Sequence, residues 1–421
     1  MSCNPSFGGI GKGTLVREID ALDGLMARCV DEAGIQFRIL NRSKGPAVQA
    51  PRAQADRTLY AAAMLGALRG VAGLRLHEDS AEDLILTGEG SSRAPQIAGV
   101  RTGRGDEILC RSVVIATGTF LRGVVHLGTE RYPAGRHRRD SADVEPPTTA
   151  LAATLDRLRF PLHRLTTGTP PRLDGTTIRY EGLEEQRSDD PPPAMSYLND
   201  ERGVRLADSL VSCHLTATVT ATHDLVRAHS SSLPTFAGNN GRGQGPRYCP
   251  SIEKKVVRFP GKTSHSIWLE PEGLDSTTVY PSGLNTAFPP DVQLALLRTI
   301  PGLEGVRMVR PGYAVEYEAV DASRCLRTTL EARDVRGLYL CGQVRLACSA
   351  GNEAAAAVGR SCGAASTLPR AQLFYPHSRS AARRATRRRV PSESSPAPMR
   401  ASRQLAAPRL YLAAPTHLSA L

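Results

Sequence analysis

The run Val113-Val114-Ile115 closes without a polar break on Ala116-Thr117-Gly118, which reads as a buried strand ending in a tight turn. A turn made of small residues bares its backbone, so a ligand can approach it closely. Gly337-Leu338-Tyr339-Leu340-Cys341-Gly342-Gln343 is a second strand with a glycine at its end. Shorter β-like runs at residues 74–76, 81–86, 97–101 and 107–110 are separated by Gly and Ser. Helical spacing of Leu15, Ile19, Leu22 and Met26, punctuated by Gly24 and Gly34, gives one kinked helix or two short ones. A further helix is predicted over residues 51–68, with proline in its first turn and Gly70 as its terminator. Strands mixed with helices, 41% hydrophobic residues and only 5% aromatic suit an α/β enzyme, and 421 residues suffice for two domains.

The charge of +12 suggests a nucleic-acid partner, but most of it sits at one end. Residues 366–421 hold ten arginines against one acid, Glu393, which leaves +3 for the first 365 residues. Any RNA contact of the folded part must then come from a local patch. The stretch 366–421 is Ala, Arg, Ser and Pro without stable periodicity, and is expected to be disordered. No apolar run reaches membrane-spanning length and no basic, apolar leader follows Met1, so membrane insertion is not expected. Nine scattered cysteines suit free thiols in a reducing compartment, and their spacing suggests no metal site.

One of those thiols stands apart. In Gly245-Pro246-Arg247-Tyr248-Cys249-Pro250-Ser251-Ile252-Glu253-Lys254-Lys255, Cys249 lies among cations at the head of an amphipathic segment. Positive charge and a helix N-terminus favour the thiolate, so Cys249 is a candidate nucleophile near neutral pH. The alternative is a small buried thiol beside a turn. Cys213 and His223 are read as polar structural residues.

That stretch, with Ser2-Cys3-Asn4-Pro5 and Gly8-Gly9-Ile10-Gly11-Lys12-Gly13, resembles the MnmG (GidA) family. The likeness continues through Lys44-Gly45-Pro46-Ala47-Val48, Arg52-Ala53-Gln54-Ala55-Asp56-Arg57, Thr167-Gly168-Thr169-Pro170-Pro171-Arg172 and Leu269-Glu270-Pro271-Glu272-Gly273. The resemblance implies a flavoprotein that, with an MnmE-type GTPase, adds an aminomethyl-type group to C5 of the tRNA wobble uridine. Carboxymethylaminomethyl and, in mitochondrial members, taurinomethyl are the forms implied. FAD, NADH and methylenetetrahydrofolate as one-carbon donor are the implied cofactors, a homodimer the implied assembly, and a mitochondrial or otherwise cytoplasmic location the implied setting. Cys249 and Cys3 match the two family thiols, with Cys249 as nucleophile and Cys3 in proton transfer or as a second nucleophile. Ala81 matches a backbone contact to adenine; Gly118, Thr148 and Gln343 match flavin contacts. Gly245, Arg247, Tyr248 and Lys255 fall in the nicotinamide-contacting stretch.

The implied fold is a Rossmann-like FAD/NAD(P)-binding domain, its first β-α unit absent from this sequence, with an inserted α/β domain and a disordered basic tail. The boundaries drawn are 1–160 for the first part of the FAD domain, 161–305 for the insert, 306–365 for the return segment and 366–421 for the tail. Gly8 to Gly13 lack the spacing of a dinucleotide or phosphate loop. Two other readings stay open. One is another folate- and FAD-dependent tRNA uridine methylating enzyme, and the other an inactive member acting as a binding or interfering partner.

Overall fold

A computed structural model describes residues 3–90, 92, 94–137, 144–237, 240–241, 243–245, 251–345, 370–375 and 409–413.

The run Val113-Val114-Ile115 lies in the strand Ser112–Ile115, second in order in a five-stranded parallel sheet. Leu338–Leu340 lies on one side, and Arg409–Ala413, Arg370–Tyr375 and Leu74–Glu78 follow in order on the other. Val113 and Ile115 share a core with Leu338, Leu340 and Val344. That core also takes in Leu151 and Leu155 of the helix Ala150–Arg157 and Leu84 of the meander Ala81–Thr87, Gln96–Thr102, Glu107–Leu109.

Two of the strands come from the stretch expected to be disordered. Arg370–Tyr375 and Arg409–Ala413 pair in parallel with each other, and their outer edges pair with Leu74–Glu78 and Ser112–Ile115. Leu373-Phe374-Tyr375 and Leu410-Tyr411-Leu412 are short β-prone runs in an Arg- and Ser-rich background. Average composition hides them, and pairing on both edges supplies the hydrogen bonds that such short strands need. The parallel sheet therefore has no break between residues 74–78 and 112–115.

Instead of the one helix predicted over residues 51–68, Ala50–Ala55 is the middle strand of a three-stranded sheet with Ser6–Gly8 and Gly34–Leu40, and the helix begins at Arg57 and runs to Arg69. Alanine is a good helix former, but Arg52/Gln54 and Ala53/Ala55 alternate with period two. Ala53 and Ala55 are fully buried in a core with Val16, Val30 and Phe37. Asp56 ends the strand and caps the helix, accepting from the Thr58 and Leu59 amides at 2.8 and 2.9 Å. The preceding helical stripe is two helices, Gly13–Ala21 and Leu25–Ala33. A Cβ on Gly24, between them, would lie 2.2 Å from Ile19 Cγ2, so only glycine permits this close reversal.

Leu162–Thr169 and Tyr313–Val320 pair antiparallel over eight residues and carry the chain out of this region and back. Between them lies a six-stranded sheet, in order Glu184–Gln186, Cys213–Ala217, Ser266–Pro271, Thr278–Ser282, Arg172–Asp174 and Met308–Arg310. The helices Thr220–Ala228, Ile252–Arg258 and Pro290–Arg298 supply Val226, Val256 and Leu296 to its core. Among the described residues no helix is long and apolar enough to cross a membrane.

Candidate active site

Cys3 is exposed, whereas Cys29, Cys110, Cys213, Cys325 and Cys341 are buried. Burial pushes the Cys29 and Cys325 thiols up to about 11 and those of Cys110 and Cys213 up to about 12, which leaves them protonated and inert. Among the described cysteines, Cys3 alone is open to a reactant.

Its surroundings form a closed ring. The Cys3 sulfur lies 3.1 Å from the Tyr280 hydroxyl, and the Cys3 carbonyl accepts from Arg57 at 2.7 Å. Arg57 also donates to the Glu272 carboxylate at 2.8 Å, which takes a second bond from Arg172 Nε at 2.7 Å. Arg172 closes the ring with its guanidinium 4.6 Å from the centre of the Tyr280 ring. Thr169 Oγ1 and the Pro170 carbonyl fix the other side of Arg172 at 2.8 and 2.7 Å. Burial alone would push the Glu272 carboxyl up, but the Arg172 and Arg57 guanidiniums outweigh it and hold it below the usual carboxylate range.

Asn4 is gripped as firmly. Its amide donates to Glu270 and its side-chain oxygen accepts from Gln54 at 3.0 Å. Arg52 donates to Glu270 at 2.5 Å and to Gln36 and Gln54 at 3.2 Å each. Period two on the strand Ala50–Ala55 places Arg52 and Gln54 on this polar face while Ala53 and Ala55 enter the core. Glu270 and Tyr280 are cross-strand partners. The pairing of Ser266–Pro271 with Thr278–Ser282 thus sets both the carboxylate behind Asn4 and the hydroxyl against Cys3.

Other predicted site residues fall at the carboxyl edge of the parallel sheet, where α/β folds place their ligands. Gly118 turns the chain after Ser112–Ile115 with φ of +59°. Thr148 is tied to the same loop: its amide donates to the Phe120 carbonyl at 3.0 Å and its carbonyl accepts from Arg122 at 3.2 Å. Gln343 lies in the short 3-10 helix Gly342–Arg345 after Leu338–Leu340, anchored where the Cys341 amide donates to the Ile115 carbonyl at 2.9 Å. Gly118, Thr148 and Gln343 therefore lie on segments that leave the same edge of the sheet. Ala81 follows the carboxyl end of Leu74–Glu78, across the two intervening strands.

Lys255 lies on the helix Ile252–Arg258 and donates to the Gly283 carbonyl at 2.6 Å; burial lowers its pKa. Gly245 is exposed beside the Thr166 carbonyl. Arg247, Tyr248 and Cys249 lie outside the described residues. Both flanks of the Cys249 segment are anchored on one strand: the Gln244 carbonyl accepts from the Thr166 amide at 2.8 Å, and Ile252 reaches Gly168 through Asn285. That strand ends at Thr169, which holds Arg172 of the Cys3 ring. Cys213 and His223 are structural, the latter buried and 2.8 Å from Thr218 Oγ1 through Nε2. Tyr280 is absent from the sequence-based candidates, because its partner is 277 residues away.

The family model described as "Glucose inhibited division protein A" matches residues 1–370. This chain belongs to the GidA family. Among curated relatives, the "tRNA uridine 5-carboxymethylaminomethyl modification enzyme MnmG" of Granulibacter bethesdensis is 50% identical over 344 residues, 82% of this chain and 52% of the relative. The protein of the same name from Syntrophotalea carbinolica is 47% identical over 363 residues, 86% of this chain and 55% of the relative. A solved structure of Aquifex aeolicus GidA superposes with a TM-score of 0.76 at 40% identity, over 87% of this chain and 60% of that one. This GidA chain thus spans about half the length of the curated relatives it matches.

Whether the GidA chain's own residues suit FAD divides by part of the ligand. At the ring edge the fit is good: Gly118 presents a bare turn, and the neighbouring Thr117 hydroxyl is buried without a partner among the described residues. At the pyrophosphate no fit is found among the described residues. The sequence has no G-x-G-x-x-G turn, and among the described residues no strand of the parallel sheet leads through such a turn into a helix.

Proposed function

We propose that this chain carries the tRNA-modifying chemistry of the relatives named MnmG, adding an aminomethyl-type group to C5 of the wobble uridine. The observation that carries the reading is the exposed Cys3 thiol, held within a ring formed by Tyr280, the partly buried Arg57 and Arg172 and the buried Glu272. Carbon 5 of uracil becomes nucleophilic only when a nucleophile adds at C6. The S–C6 bond forms as the C5=C6 π bond opens and its electrons move to the C4 carbonyl oxygen. C5 then bonds to the one-carbon electrophile. Its hydrogen leaves as a proton, and the thiolate departs as C5=C6 re-forms. Cys249 is the nucleophile in this reading, and Cys3 moves the C5 proton or serves as a second nucleophile.

Ala81, Gly118, Thr148 and Gln343 would hold the adenine and ring edges of FAD. FAD would supply electron transfer, with NADH as reductant and methylenetetrahydrofolate as carbon donor. Gly245, Arg247, Tyr248 and Lys255 would face the nicotinamide. An MnmE-type GTPase partner, a homodimer and a mitochondrial or otherwise cytoplasmic location complete the proposal. In a chain of full family length, Cys249→Ser and Cys3→Ser should each abolish the modified nucleoside on mass spectrometry of tRNA while flavin content stays unchanged. Substantial modification by either variant removes that thiol from the mechanism.

The poor pyrophosphate fit favours a second reading for the 421-residue chain alone, that of an inactive partner which binds or interferes. Flavin content of the purified chain separates the two, near one per chain for the enzyme and near zero for the inactive partner.

A further inference from the structure

We infer that Tyr280 is a positioning residue for the Cys3 sulfur, its hydroxyl fixing the thiol's direction and donating to the sulfur once the thiol has lost its proton. This rests on the reading of Cys3 as a reactive thiol. Tyr280 is 4% exposed, while the thiol it touches is exposed. A buried hydroxyl on a rigid cross-strand pair therefore meets a sulfur that reactants can reach. With a neutral thiol either atom can donate across the 3.1 Å contact. With a thiolate only the phenol can, and a bond to an ionised acceptor is roughly twice as strong as a neutral one.

The groups around the pair reinforce that direction. The Arg172 guanidinium lies over the Tyr280 ring and draws electron density from it, which makes the hydroxyl a better donor. Glu272 fixes that guanidinium and is itself held by Arg57, whose other bond fixes the Cys3 carbonyl. Main chain and side chain of Cys3 are thus set by one circuit. Tyr313, the other phenol near Cys3 and Arg172, is pushed up to about 12 by burial and adds no charge near neutral pH. The carboxylate of the ring, Glu272, has its charge taken up by two arginines.

Tyr280→Phe removes the hydroxyl and keeps the ring beneath Arg172. The test is the rate at which iodoacetamide alkylates Cys3 in the 421-residue chain, read by peptide mass spectrometry, with the buried Cys110 and Cys213 as internal reporters of fold. At about pH 7 the Phe variant should react about tenfold more slowly, as expected for loss of a hydrogen bond to a charged acceptor. Near pH 9.5 the difference should largely vanish, which a general loosening of the site would not produce. Rates within about twofold of the unmutated chain at both pH values overturn the inference. Should the Phe variant expose Cys110 or Cys213, 3-fluorotyrosine incorporated into the unmutated chain decides. Its stronger donor should raise the rate at about pH 7, and an unchanged rate overturns the inference. Cys3→Ser assayed for tRNA modification judges the underlying reading separately, because alkylation requires no tRNA.

Discussion

Glu270, near the end of the strand Ser266–Pro271, and Glu272, just past it, are shifted in opposite directions. Both are nearly fully buried, at 4% and 3% exposed. Burial pushes Glu270 above the usual carboxylate range because a single guanidinium, Arg52, does not offset it. Glu272 faces two guanidiniums, and there the charges win.

Substitution should therefore separate the two carboxylates. Glu272→Gln leaves the partly buried Arg57 and Arg172 without their shared counter-charge and should cost about 3 kcal/mol at neutral pH. Glu270→Gln gives up one ion pair but also a carboxyl whose ionisation burial opposes, and should cost only about 1 kcal/mol. The pH dependence carries the sign. Glu272, depressed in the folded state, contributes stability that is present above its unfolded pKa of about 4.3 and is lost as pH falls through its lower folded value. Glu270, raised in the folded state, contributes most below about 4.3 and loses its contribution as pH rises toward its folded value. Urea titrations from neutral pH down to about pH 3 check both, and equal costs for the two variants would contradict the contrast.

Removing residues 366–421 should destabilise the parallel sheet. Leu74–Glu78 would lose the strand neighbour it has in that sheet, and Ser112–Ile115 one of its two. A lowered melting temperature and faster amide exchange across residues 74–78 are the expected results. Unchanged exchange there would show that the two tail strands contribute nothing to the sheet.

Asp56 joins two regions. One carboxylate oxygen caps the helix Arg57–Arg69, and the other accepts from the Leu274 amide at 2.8 Å. Asp56→Ala should cost about 2 kcal/mol, the loss of a cap and of a second bond to a charged acceptor. Asp56→Asn keeps a capping oxygen and should recover about half of that, measured by chemical denaturation.

FAD titrated into the 421-residue chain should bind weakly, because the ring edge is provided for and the pyrophosphate is not. A yellow protein with flavin near one per chain would contradict this and favour the enzyme reading for the chain alone.

The buried strands were legible in the sequence because Val113-Val114-Ile115 and Leu338-Tyr339-Leu340 are continuous apolar runs, whose burial needs no knowledge of their partners. Residues 50–55 were not, since alanine's helix preference masks a period-two pattern that matters only once Ser6–Gly8 and Gly34–Leu40 lie alongside. At the site, Cys3 and the Glu270 and Glu272 motif were visible as residue types in a family-like order. Their circuit was not, because it exists only through pairs such as Arg57 with Glu272 and Cys3 with Tyr280, each more than 200 residues apart.

The insertion of Arg370–Tyr375 beside Leu74–Glu78 also dictates when the molecule becomes whole. The earlier strand must wait for roughly 300 further residues, on the order of 15 to 60 seconds at ribosomal rates of about 5 to 20 residues per second. During that interval its backbone donors and acceptors are an open template for another chain. A nascent polypeptide of this design therefore passes through a long aggregation-exposed phase, and its yield in a cell should depend on chaperone capacity more than on the stability of the finished fold.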